Sequence, residues 1–167
     1  ADELKQKVVN KTHIENAVTK ETHAPTRVDE AMKSKLLGLE QMLQKQILNQ
    51  SSAMTQLASS LRRAFVMLGK RKKPLATLLF VGPTGTGKTA TAKALTDILF
   101  GLDNNSDKLL RFDMSLYQSL TDIPHLVGSS DHEEQGILTE AIQGHPYATL
   151  LLDELEKAHH DLLNIFL

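Results

Sequence analysis

An α/β fold, with a parallel sheet flanked by helices, is what this chain predicts, and three observations predict it. Short apolar runs at Leu78-Leu79-Phe80-Val81, Leu109 to Asp113 and Ala148 to Leu152 read as strands. They alternate with stretches of helical periodicity, the order that builds a parallel sheet. Between the first run and the helix pattern Ala90-Thr91-Ala92-Lys93-Ala94-Leu95 lies a turn rich in glycine and threonine.

The elements follow in order. Thr12-His13-Ile14-Glu15 has the pattern of a capping box, so a short helix is expected from there to about Lys20. Pro25 forces the chain before it into an extended or turn conformation, and Thr26 to Asp29 offers a new helix start. Leu36, Leu39, Leu43 and Ile47 then recur at steps of three and four, one apolar face of a helix that Asn49-Gln50-Ser51 ends. A second amphipathic helix starts near Ser51. It carries Met54, Leu57, Ala58, Leu61, Phe65 and Leu68, with Gly69 placed to close it and Phe65 expected in the core. Lys70-Arg71-Lys72-Lys73-Pro74 reads as a solvated connector, with phosphate contact as the alternative.

Beyond the helix at Ala90, Asp103 to Asp107 is turn-rich. A short helix is expected over Ser115 to Leu120, and a loop-rich stretch over Thr121 to Gln135, broken by Pro124 and Gly128. Ile137 to Ile142 is a short helix ended by Gly144. The third apolar strand ends in Asp153-Glu154, and a last helix begins near Ala158.

Gly82-Pro83-Thr84-Gly85-Thr86-Gly87-Lys88-Thr89 fits G-x-x-x-x-G-K-[ST], the phosphate-cradling P-loop. Its glycines let successive backbone N–H groups face one anion, and the following helix adds its positive end. In that pattern Lys88 reaches the β and γ phosphates of ATP, and the Thr89 hydroxyl binds Mg²⁺. The strand that ends in Asp153-Glu154 supplies the partner such a loop needs. Asp153 is placed to hold Mg²⁺, and Glu154 to polarise the attacking water as general base. The alternative is an acidic pair that only caps the next helix.

Composition narrows the class. With 41% hydrophobic and 23% charged residues among 167, the chain is globular and of a length for one domain. A net charge of -1 and 4% aromatics argue against a nucleic-acid partner. There is no cysteine, which excludes a disulfide framework and any cysteine zinc site. No apolar run approaches a membrane span, and Ala1 to Lys7 lacks the apolar core of a signal peptide, so the chain reads as soluble and cytoplasmic. The seven histidines form no H-E-x-x-H, and His159-His160 reads as a solvated helix start. No metal beyond Mg²⁺ is expected.

These residues resemble the Clp/Hsp100 ring unfoldases of the AAA+ class, and within them the second ATPase module. The resemblance is carried by the P-loop, by Leu110-Arg111-Phe112-Asp113-Met114-Ser115 with Tyr117, and by Leu138-Thr139-Glu140-Ala141 with His145-Pro146. It continues through Leu151-Leu152-Asp153-Glu154 and Glu156-Lys157-Ala158-His159, covering nearly the whole chain. It implies a P-loop NTPase of AAA+ type, with residues 1–26 as an inter-module connector and 27–167 as an incomplete large subdomain. It also implies an Mg-dependent, ATP-driven protein remodeller acting on protein substrates as a homo-oligomeric ring, usually a hexamer, and leaves a partner peptidase open. Ile47 and Leu48 then lie near the adenine, and Thr22-His23-Ala24-Pro25 takes the place of the family's Thr-Gly-Ile-Pro connector.

Three departures from the family pattern stand out. The span Gly128 to Gly136, where a substrate-gripping pore loop carries an aromatic and an aliphatic residue, is short and has no aromatic. Leu116 replaces an acidic residue, and Asn49 stands where the family has glycine. The resemblance also puts a central strand after Glu154, between the P-loop strand and the third strand, and the polar sensor, arginine finger and lid beyond it. A sheet without that strand leaves backbone groups of the P-loop strand unpaired. The altered span from Gly128 to Gly136 supports the rival reading to a threading unfoldase, a non-threading AAA+ switch or assembly factor.

Overall fold

A computed structural model describes residues 30–66, 74–101, 108–129 and 134–166. The helix expected at Thr12 to Lys20, the start at Thr26 to Asp29, the division near residue 26, the Gly69 cap, the basic connector, the turn at Asp103 to Asp107 and positions 130–133 lie outside these residues.

Among the described residues, three helices form the first half. Helix α1 runs Glu30–Gln46 and α2 runs Ser51–Val66. The predicted apolar stripes are the buried ones: Leu36, Leu39 and Leu43 on α1, and Met54, Leu57, Ala58, Leu61 and Phe65 on α2. Burying such stripes against each other is the main stabilisation of both helices. Asn49 holds the turn between them at φ +58°, a left-handed conformation that asparagine tolerates better than most residues. Glu40 ties the pair together, accepting from Thr55 Oγ1 at 2.7 Å and from Arg62 Nη2 at 3.1 Å. Helix α3, Lys88–Phe100, packs Ala94, Leu95 and Leu99 into the same core. Lys35 Nζ donates to the Leu99 carbonyl at 2.9 Å, placing a cation at the carbonyl end of α3.

The second half is built on a parallel pair of strands. Strand β1, Leu109–Asp113, lies beside β4, Thr149–Asp153, with Leu109 level with Thr149 and Asp113 level with Asp153. Between them in sequence come α4 (Ile123–Val127), β2 (Gly128–Ser129), β3 (Glu134–Gln135) and α5 (Ile137–Gly144). Helix α6, His160–Phe166, follows β4. Met114, Tyr117, Leu126, Leu138 and Leu162 form a second core, with Phe112 and Leu152 of the two strands against it.

The structure corrects three expectations. Leu78 to Val81 is not a strand: among the described residues the sheets are two-stranded, β1 with β4 and β2 with β3. Phe80 packs on the first core, but Leu79 is 66% and Val81 85% exposed. Among the described residues no strand lies beside this run, so its ladder has no partner and its β-propensity goes unused. Where it is described, at 121–129 and 134–135, the stretch expected to be loop-rich holds a 3-10 turn, a helix and two short strands. Pro124 sits in the first turn of α4, where its missing N–H costs nothing, and Leu126 anchors that helix in the core. The helix expected over Ser115 to Leu120 is instead two 3-10 turns, Met114–Leu116 and Leu120–Asp122. Among the described residues no helix is long and apolar enough to cross a membrane.

Candidate functional site

The loop from Gly82 to Gly87 enters α3 through two left-handed glycines, Gly85 at φ +83° and Gly87 at φ +90°. A side chain at either would be strained. Thr86 Oγ1 braces the turn by donating to the Pro83 carbonyl at 2.9 Å. The first turn of α3 contains no acidic side chain, so its free N–H groups and positive end face no competing negative charge of its own. Lys88, the first residue of α3, folds its ammonium back on the loop and donates to the carbonyls of Gly82 at 2.7 Å and Pro83 at 2.9 Å. Thr84 sits at the exposed tip of the turn.

Thr89 meets the end of β4. Its hydroxyl lies 3.4 Å from each carboxylate oxygen of Asp153, a residue 64 positions away. Asp153 is half-buried, with 21% of its side chain exposed, and its Oδ2 accepts from Arg111 Nη2 at 2.8 Å. Asp113, its register partner, is turned to other work. It caps the 3-10 turn after β1, accepting from the Ser115 amide at 3.0 Å and hydroxyl at 2.6 Å. Those bonds, the hydroxyl's first, hold the Asp113 carboxyl below the usual carboxylate range, and the charges of Arg111 and Lys157 add to them.

Glu154 has φ +54° and ψ +39°, left-handed backbone at a residue with a Cβ. Such conformations cost on the order of 1–3 kcal/mol and gather at functional sites. Its carboxylate pairs with Lys157 at 2.6 Å, which raises the lysine's pKa, through the hydrogen bond first and the charge second. The 3-10 turn Leu155–Lys157 then returns the chain to the core, and the His159 amide donates to the Tyr117 carbonyl at 2.9 Å.

The two residues expected near the adenine separate. Ile47 is buried beside the loop, where its Cγ2 would lie 3.7 Å from a Cβ at Gly87. Leu48 is 75% exposed. A cavity of about 580 Å³ opens between α2 and the chain before α3, lined by Met54, Leu57, Phe80, Gly82 and Lys88 among others. Neither Ile47 nor Leu48 is among its lining residues. The sequence reading missed Arg111 as a member of the site. Its signal was available in the strand period, since it stands two residues before Asp113 on the same face.

His159, His160 and Asp161 bring three possible ligand atoms within 4.8 Å of one another. The His159 Nδ1 lone pair already accepts from the Asp161 amide at 3.3 Å. His160 begins α6 in solvent, as expected of the pair, but His159 precedes the helix and has only 18% of its side chain exposed.

Known proteins share this arrangement of sequence. Residues 73–167 match the profile of the family described as AAA domain (Cdc48 subfamily). Over 96% of its length the chain is 39% identical to the ATP-dependent Clp protease ATP-binding subunit ClpE of Lactococcus lactis. It is 39% identical over 98% of its length to the chaperone protein ClpB of Vibrio vulnificus, and 40% identical over the same share to that of Aquifex aeolicus. It spans 22%, 19% and 16% of those three proteins. The family profile takes in the P-loop, Asp153 and Glu154, the groups that the fold gathers at the start of α3 and the end of β4, and the chain belongs to the AAA domain family, in its Clp/Hsp100 branch.

Proposed function

We propose that this chain is the ATP-binding and ATP-hydrolysing module of a Clp/Hsp100-type ring ATPase that remodels or unfolds proteins. The observation that supports it most is the approach of Thr89 to Asp153, which brings the first turn of the P-loop helix to the end of an acidic strand. In this reading the N–H groups of the loop from Gly82 to Gly87 and of the first turn of α3 hold the phosphates. Lys88 leaves the carbonyls of Gly82 and Pro83 for the β and γ phosphates. The Thr89 hydroxyl and Asp153 carboxylate are hard oxygen donors, the kind that suits Mg²⁺, and they would hold it. Bound there, Mg²⁺ neutralises charge on the phosphate oxygens. Glu154 leaves Lys157 and takes the proton of the attacking water. Ile47 contributes an apolar wall beside the loop.

The test is a pair of substitutions in the full-length protein. Lys88→Ala removes most of the nucleotide affinity. Glu154→Gln keeps binding but slows hydrolysis by roughly 10²–10⁴-fold, the scale of a lost general base. Wild-type hydrolysis in Glu154→Gln would mean that the acidic pair only caps the following turn.

A second reading, a non-threading AAA+ switch or assembly factor, is favoured by one sequence feature. The span from Gly128 to Gly136 has no aromatic residue with which to grip a polypeptide.

A further inference from the structure

We propose that Arg111 is the resident counter-ion of Asp153, a positioning residue that holds this carboxylate in the metal-free site and competes with Mg²⁺ for it. The inference rests on the reading of Asp153 as the carboxylate on the Mg²⁺ side of the site.

The geometry begins with strand register. Asp113 and Asp153 stand level on neighbouring parallel strands, and Arg111 is two residues earlier on β1, hence on the same face as Asp113. Its guanidinium reaches diagonally to Asp153 Oδ2 at 2.8 Å, the length of a charge-assisted hydrogen bond. Thr89 Oγ1 lies 3.4 Å from both oxygens and adds little. A carboxylate with 21% of its side chain exposed loses much of its hydration and needs a counter-charge.

The neighbouring charges leave that task to Arg111. Lys88 is turned onto the loop carbonyls, and Lys157 is paired with Glu154. Asp113, the other carboxylate on that face, is occupied by the Ser115 amide and hydroxyl. Among the described residues, Arg111 is the cation in ion-pair contact with Asp153.

The pair is broken when another cation takes the place of Arg111 at the carboxylate. A guanidinium and a divalent cation on one carboxylate repel, so each weakens the binding of the other. By linkage the effect is reciprocal: what releases Arg111 strengthens Mg²⁺ binding by the same factor. The half-exposed guanidinium has solvent to move into when released.

The experiment uses the full-length protein saturated with ADP and reads binding of Mn²⁺, as the probe for Mg²⁺, by electron paramagnetic resonance. Arg111→Gln is expected to tighten Mn²⁺ binding by about twofold to fivefold, the scale of a partly exposed ion pair. Arg111→Lys, which keeps the charge but loses the planar fork, falls between Arg111→Gln and wild type. Lys108→Gln, a charge loss just before the same strand, leaves the affinity at the wild-type value. Thermal denaturation checks that each variant is folded, and Arg111→Lys carries the test if Arg111→Gln is not. Asp153→Asn separates the two layers of the argument. If it weakens Mn²⁺ binding while Arg111→Gln leaves it unchanged, Arg111 is not the competitor and the reading of Asp153 stands. If Asp153→Asn has no effect on Mn²⁺, the reading of Asp153 fails and this inference with it.

Discussion

Asp113 and Asp153 are the same residue type, level with each other on adjacent strands, and their surroundings give them different tasks. Ser115 engages Asp113 through its hydroxyl and amide, so Asp113 is a cap. Asp153 faces Thr89 and Arg111, and in the proposed site it is the carboxylate on the Mg²⁺ side. The Asp113 cap carries a pH dependence with a definite sign. The folded pKa is lowered, so the ionised form stabilises the fold. That contribution is complete above the unfolded carboxyl value of about 3.9 and is lost as pH falls through the folded value. Ser115→Ala is expected to lower the denaturant midpoint at neutral pH, and the gap from wild type should narrow as pH falls below the unfolded carboxyl value. A gap independent of pH would mean that Ser115 stabilises by another route.

At the scale of elements, the hairpin of β2 and β3 depends on one backbone approach. A Cβ at Gly136 would collide with the backbone of Leu126, Val127 and Gly128. Backbone atoms cannot move aside as a flexible side chain can. Thr139 Oγ1 fixes the same corner, donating to the Val127 carbonyl at 2.9 Å. Gly136→Ala is therefore expected to cost about 1–3 kcal/mol, the usual scale of overpacking. Hydrogen exchange should localise the damage to α4, β2 and β3, with protection in α1 and α2 unchanged, since those helices belong to the other core. Equal loss of protection in α1 and α2 would show that the two cores unfold as one unit.

At the scale of the whole molecule, the question is whether the proposed ATPase drives threading. Ser129, Ser130, Asp131 and His132 offer no aromatic area for gripping a polypeptide, and Glu133 and Glu134 add negative charge. In the proposed ring, that charge recurs in every subunit and disfavours acidic segments. The full-length protein is therefore expected to hydrolyse ATP yet unfold a tagged fluorescent protein weakly. Introducing a Tyr-Val pair with flanking glycines between Gly128 and Glu133 should raise unfolding. Strong unfolding by the unmodified protein would place the gripping element elsewhere and remove the support for a non-threading switch.

Periodicity and motif spacing alone determined the helices Glu30–Gln46 and Ser51–Val66 to within a few residues, their buried faces, and β1 and β4. The same local logic marked the loop from Gly82 to Thr89 and the pair Asp153-Glu154, because their chemistry demands fixed residue types at fixed spacing. Asn49 could be singled out as a departure, but only the backbone at φ +58° says why a glycine-like residue belongs there. Tertiary structure decided the rest. Leu78 to Val81 has the composition of a strand, yet a strand exists only by pairing, and the described residues offer it no partner. Arg111 met Asp153, 42 residues away, through the register of two neighbouring strands. The strand period puts Arg111 on the face of Asp113, but which strand lies beside it depends on where the chain returns in space.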